Sequence, residues 1–127
     1  MKEKQRYMKK LEVLEKEIES LKGCEIKDEL SRRDVFYSLQ VCVEVLMDLV
    51  AMKVKDIGLI VEDDYTNIEK LREEEVVEVN ETEVLKQYNG MRNIIVHRYD
   101  TVRIDIIQEG IANVDSLMEI GLKISEK

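Results

Sequence analysis

The chain has 127 residues, enough to enclose one hydrophobic core and too few for two, so a single domain over residues 1–127 is expected. Hydrophobic residues make up 44% and charged residues 38%, with no proline, no tryptophan and five glycines, which disfavours a turn-rich β fold and points to long amphipathic helices. A formal net charge of −8 argues against general attraction to polyanions, so any contact with nucleic acid has to be local or regulated.

The N-terminus runs straight into charged residues, and no stretch of about 18 apolar residues occurs, so a cytoplasmic chain away from membranes is expected. The first helix is read from Met8, Leu11, Leu14, Ile18 and Leu21, spaced by threes and fours and ended by Gly23. This seam could dock on its own bundle or form a short coiled coil. A second helix should start near Asp28 or Ser31 and reach about Asp56, with Val35, Leu39, Cys42, Val43, Leu46, Val50 and Val54 on a core face. On it Glu44 and Asp48, four residues apart, share a face; they could assist acid/base chemistry, orient a cation, or form a solvated stripe.

Gly58 opens an irregular link over residues 57–66, after which the acidic run at 62–64 offers an N-cap for a short helix over about 67–74. The acidic and valine-rich segment at 72–83 reads as a loop. A fourth helix is expected over about 81–97 and a fifth over about 102–124, capped by Asp100 or Thr101. The product is all-α, an antiparallel up-and-down bundle of four to five helices. Cys24 and Cys42 form no metal-ligand or disulfide pattern, and Cys42 is expected as core filler. Neither a metal nor a cofactor is expected.

The chemistry concentrates at the end of the fourth helix, in Arg92-Asn93-Ile94-Ile95-Val96-His97-Arg98-Tyr99, which holds the sole histidine. On a helix Asn93 and His97 share one face, and the long side chains of Arg92 and Tyr99 are expected to converge from a neighbouring one. Cleaving RNA without a metal requires a proton acceptor for the 2′-hydroxyl, a proton donor for the leaving oxygen, and a cation for the phosphorus centre. Arg92 and His97 have the right chemistry. One histidine cannot easily be both acid and base in a turnover, so either Tyr99 or a second His97 from a two-fold partner is called for. The bland alternative is that both cations only satisfy carbonyls at the helix C-terminus.

Residues 90–99 carry an R-x4-H-x-Y pattern that resembles the signature of HepT-like HEPN proteins, and the chain length, the helical layout and the Glu44/Asp48 pair extend the likeness over the whole chain. The resemblance implies an RNase toxin acting as a homodimer, with Arg92 and His97 catalytic and Asn93, Glu44 and Asp48 supporting. It further implies Tyr99 as acceptor of AMP from a small MNT nucleotidyltransferase antitoxin, the modification silencing RNA cleavage. The alternative is a non-catalytic, nucleotide-binding or scaffold partner of such a nucleotidyltransferase.

Overall fold

The computed structural model describes residues 2–126 and forms, among them, six α-helices and no strand: α1 (Lys2–Leu21), α2 (Glu29–Asp56), α3 (Asp64–Glu73), α4 (Val79–His97), α5 (Ile104–Ala112) and α6 (Asp115–Glu126). A single 3-10 turn, Tyr99–Thr101, follows α4. The expected all-α bundle is what forms, with one helix more than anticipated. Sequential helices pack in turn, α1 on α2, α2 on α3 and α3 on α4, and α6 returns against α1 and α2.

The inward face of α1 is Tyr7, Leu11, Leu14, Ile18 and Leu21, so the apolar series starts at Tyr7; Met8 is 53% exposed. The seam docks on its own bundle. Gly23 ends the helix with φ +73°, a left-handed conformation that a side chain would strain. Asp28 caps α2 by accepting from the Ser31 N–H at 2.8 Å, while the Ser31 hydroxyl accepts from the Asp28 N–H at 3.0 Å.

By length and composition α2 could cross a bilayer, contrary to the expectation from the sequence. Its apolar side chains are instead the centre of the bundle: Leu39, Cys42, Val43, Leu46, Leu49, Val50 and Val54 are fully buried. Burial in this apolar setting pushes the Cys42 thiol up to about 12, as expected of an inert core residue.

Two boundaries move upstream. The Asp63 carboxylate accepts from the Thr66 N–H at 2.8 Å and starts α3 at Asp64; the Glu81 carboxylate accepts from the Glu78 N–H at 2.8 Å and helps start α4 at Val79. The acidic segment is therefore loop only between the helices, where Val76 and Val77 turn into the core at 5% and 3% exposure.

The expected fifth helix is two. A 3-10 turn occupies its expected cap positions, with the Thr101 hydroxyl donating to the Arg98 carbonyl at 3.0 Å, and α5 begins at Ile104 rather than directly after a cap on Asp100 or Thr101. At Asn113 the helix breaks, the Asn113 amide donating to the Glu109 carbonyl and the Ser116 hydroxyl to the Asn113 carbonyl. The apolar period runs through the break, since Ile107, Ile111, Val114, Leu117, Ile120 and Ile124 are all buried.

Gly121 lets α6 approach α1 closely: a Cβ there would lie 3.0 Å from Leu14 Cδ2 and 3.3 Å from Leu11 Cδ2. Gly121→Val should cost about 1–3 kcal/mol, because the added Cβ and its two methyls meet a packed surface. Urea unfolding with an unchanged m-value measures it, and a variant as stable as the parent would show that α1 gives way freely.

Candidate functional site

The helix α4 delivers its motif from two turns. Met91 and Ile95 are buried and fix the helix against the bundle, which leaves Arg92 and Asn93 half-buried and Ile94, Val96 and His97 exposed. His97 is the last residue of the helix. The next residue, Arg98, still donates its N–H to the Ile94 carbonyl at 2.7 Å, but with φ −140° and ψ +48° it leaves the helical path.

Arg92 is anchored. Its Nε donates to Asn93 Oδ1 at 2.9 Å, and its Nη2 donates to Asp64 Oδ2 at 2.9 Å and Asn89 Oδ1 at 2.8 Å. Asn89 is itself buried, so the guanidinium is held from one helical turn below and from the start of α3. Among the described residues no hydrogen bond uses Nη1, so two of the five guanidinium N–H donors remain for an added oxygen ligand. The bland reading, in which Arg92 satisfies carbonyls at the helix end, does not describe this geometry.

Tyr99 goes elsewhere. Its ring stands edge-on to Phe36 with centroids 5.3 Å apart and lies under the Arg32 guanidinium at 4.5 Å. Arg32 Nη2 also donates to the Tyr99 carbonyl at 2.6 Å, and the Tyr99 hydroxyl donates to Glu29 Oε1 at 3.1 Å. Partial burial and then the Glu29 carboxylate hold the phenol above its ordinary range. The expected convergence of Arg92 and Tyr99 is thus not what forms: one side chain is tied to α3, the other to the start of α2.

Tyr99 opens onto a cavity of about 760 Å³ between α2 and the end of α4, lined among others by Glu29, Leu30, Arg33, Tyr37 and Val96. Leu30, Tyr37 and Val96 on its wall are 68%, 66% and 47% exposed, an apolar patch beside the motif. The Glu44 carboxylate accepts from the Gln40 amide at 3.1 Å, and Gln40 lines the same cavity. Asp48, one turn further along the same face, pairs with Lys10 of α1 at 2.8 Å. The two acids share a helix face as the spacing put them, but their partners differ: Glu44 is held by Gln40 at the cavity edge and Asp48 by Lys10 across the α1–α2 contact.

Sequence reasoning missed Asp64 and Asn89 as holders of Arg92, and Glu29, Arg32 and Arg33 around Tyr99. Asn89 stands three residues before Arg92 and was open to helical-spacing arguments. Asp64, Glu29 and the two arginines arrive from other helices. A double-mutant cycle with Arg92→Gln and Asp64→Asn should return a coupling of about 0.5–2 kcal/mol, the partly buried pair exceeding a surface one. A coupling of zero would place Arg92 elsewhere.

Comparison with known proteins gives the chain its kinship. A protein of Archaeoglobus fulgidus named "Putative RNase" is 46% identical over 121 residues, covering 95% of this chain and 92% of its own. A similarly named protein of Methanocaldococcus jannaschii is 59% identical over 69 residues, covering 54% of this chain and 79% of its own. In fold the chain is similar to a tri-AMPylated Shewanella oneidensis HEPN toxin solved in complex with its MNT antitoxin, with TM-score 0.85, 18% identity, and coverage of 95% of this chain and 97% of that one. It is also similar to a chain from a toxin-antitoxin crystal structure with AMP-PNP, with TM-score 0.84, 17% identity, and coverage of 93% and 96%. Since residues 5–121 match the model of the family described as Ribonuclease HepT-like, this chain belongs to the HepT-like ribonuclease family.

Proposed function

We propose that the chain is the RNA-cleaving toxin of a HEPN/MNT toxin-antitoxin pair, acting without a metal at a cleft shared by two copies. The observation that carries this reading is the state of Arg92: a guanidinium fixed by Asp64, Asn89 and Asn93 with Nη1 left over, five residues before an exposed histidine. A cation held before substrate arrives stabilises developing charge without having to reorganise.

Arg92 would bind the scissile phosphate and His97 would exchange the proton, as acceptor for the 2′-hydroxyl or donor to the leaving oxygen. Tyr99 is poorly suited to the second role, because its hydroxyl is engaged by Glu29 and its phenol is held above the usual range. The second proton group is then His97 of another copy. The exposed Leu30, Tyr37, Ile94 and Val96 supply an apolar surface next to the motif on which such a copy could dock. Asn93 supports by holding Arg92 Nε; Glu44 acts on the cleft only through Gln40, and Asp48 supports the α1–α2 contact beneath it.

Tyr99 is the acceptor of AMP from an MNT nucleotidyltransferase. A phosphodiester there would put bulk and negative charge within two residues of His97 and compete with RNA phosphate for the local cations. That similar chain from Shewanella oneidensis was solved tri-AMPylated and with its MNT antitoxin, which supports this assignment.

Expressed alone, the chain should arrest growth and cleave RNA, and His97→Ala or Arg92→Ala should each lower cleavage by about 10²-fold or more and relieve the arrest. A clean dimer that cleaves no RNA and arrests nothing would overturn the toxin reading in favour of a scaffold for the nucleotidyltransferase. Separately, intact-mass measurement after incubation with the MNT partner, ATP and magnesium should show adenylyl additions on the parent and none on Tyr99→Phe; additions that persist on the phenylalanine variant would move the acceptor elsewhere.

A further inference from the structure

The contact between Tyr99 and Glu29 has a chemical meaning of its own. The Tyr99 hydroxyl donates to Glu29 Oε1 at 3.1 Å, across 70 residues of sequence, and both side chains line the open cavity. The ring cannot swing freely, since the Arg32 guanidinium covers one face at 4.5 Å, Phe36 meets it edge-on, and the Tyr99 carbonyl is held by Arg32 Nη2 at 2.6 Å. Arg32 also stands 3.7 Å from Glu29 Oε2, and Glu29 lies in the first turn of α2, so a cation and a helix start flank the carboxylate. The charged groups around the phenol are thus Glu29, Arg32 and Arg33 from α2, with Asp34 on the same cavity wall.

We infer that Glu29 is the proton acceptor for the Tyr99 hydroxyl when that hydroxyl takes an adenylyl group from ATP. The inference rests on Tyr99 being the AMP acceptor. In the step the Tyr99 oxygen forms a bond to the α-phosphorus as the bond from that phosphorus to the β-phosphate oxygen breaks. Pyrophosphate leaves with the electron pair of the broken bond, and the phenolic proton passes to Glu29 and then to solvent. Because this phenol is protonated at neutral pH, an attack without an acceptor would depend on the small fraction already ionised. A carboxylate placed on the hydroxyl removes that dependence, as the catalytic aspartate of a protein kinase does for its substrate hydroxyl. Glu29 touches a reacting atom and is in this sense catalytic, although it belongs to the protein being modified. Phe36 and Arg32 position the nucleophile.

The test is the rate of the first adenylyl addition to full-length chain by its MNT nucleotidyltransferase with ATP and magnesium, followed by intact mass from pH 6.5 to 9 for the parent, Glu29→Gln and Glu29→Asp. Glu29→Gln should be slower by about 10²-fold near neutral pH. Its deficit should shrink as pH rises, because the variant relies on the ionised phenol, whereas titrations of the nucleotidyltransferase affect both chains and cancel in the ratio. Glu29→Asp should recover part of the rate. Ring-labelled tyrosine NMR checks the contact without the partner: Glu29→Gln should lower the Tyr99 titration midpoint, since the carboxylate raises it, and should leave the fold intact. A Glu29→Gln chain modified at the parent rate, or slowed by the same factor at every pH, overturns the inference while leaving Tyr99 as acceptor; a parent chain that is never modified at Tyr99 removes both.

Discussion

The arrangement of the motif depends on one guanidinium. Arg32, one turn into α2, stacks on the Tyr99 ring and donates to the Tyr99 carbonyl, and by doing both it decides where α4 stops. No glycine or proline follows His97 to end the helix. Were the helix to continue, Tyr99 would rotate away from Phe36 and Glu29, and the apolar edge contact would be lost with the hydrogen bonds. The helix therefore ends where tertiary contacts outweigh one more turn of backbone bonding, and that leaves His97 at a free carboxyl-terminal end, exposed to whatever approaches.

The fold was largely legible because its helices bury one face each. The steps through Leu11, Leu14, Ile18 and Leu21, and from Val35 to Val54, needed only helical spacing to be read, and the side chains concerned are at or near zero exposure. The break at Asn113 was hidden for the same reason: Ile111, Val114 and Leu117 keep the helical period across it, so the apolar pattern alone cannot register a change of axis. The start at Tyr7 was hidden differently, since tyrosine and methionine stand adjacent and either could face inward. The core took the tyrosine, whose hydroxyl reaches Asp56 at 2.7 Å.

The site was legible in its spacing and opaque in its partners. Arginine and histidine five residues apart at a helix end can be recognised from the string alone, but what each side chain touches is a matter of which helices pack alongside. Asp64 is 28 residues before Arg92 and Glu29 is 70 before Tyr99. Both acids looked like ordinary members of acidic, helix-starting segments, and in local terms that is what they are. Packing gives them a second task. Helix starts carry acidic residues for reasons of capping and dipole, so a bundle that brings helix starts beside the end of another helix also supplies anchors for its cations and hydroxyls.

The same logic shows how a chain of net charge −8 could hold the proposed site for a phosphate ligand. Some of its acids are engaged with its own bases: Lys10 with Asp48, Lys123 with Glu81, and Glu69 with both Arg72 and Lys86. Such pairs cancel at short range, and at physiological salt the remaining field falls off over about 8 Å. Around the end of α4 Arg98 and His97 are exposed, Arg33 lines the cavity beside Glu29 and Asp34, and Arg92 keeps Nη1 outside its bonds to Asp64, Asn89 and Asn93. What a phosphate meets there is set by these groups and not by the charge of the whole molecule. It follows that a single added phosphodiester on Tyr99 would change the local balance far more than its share of the total suggests, which is the physical basis of the proposed silencing.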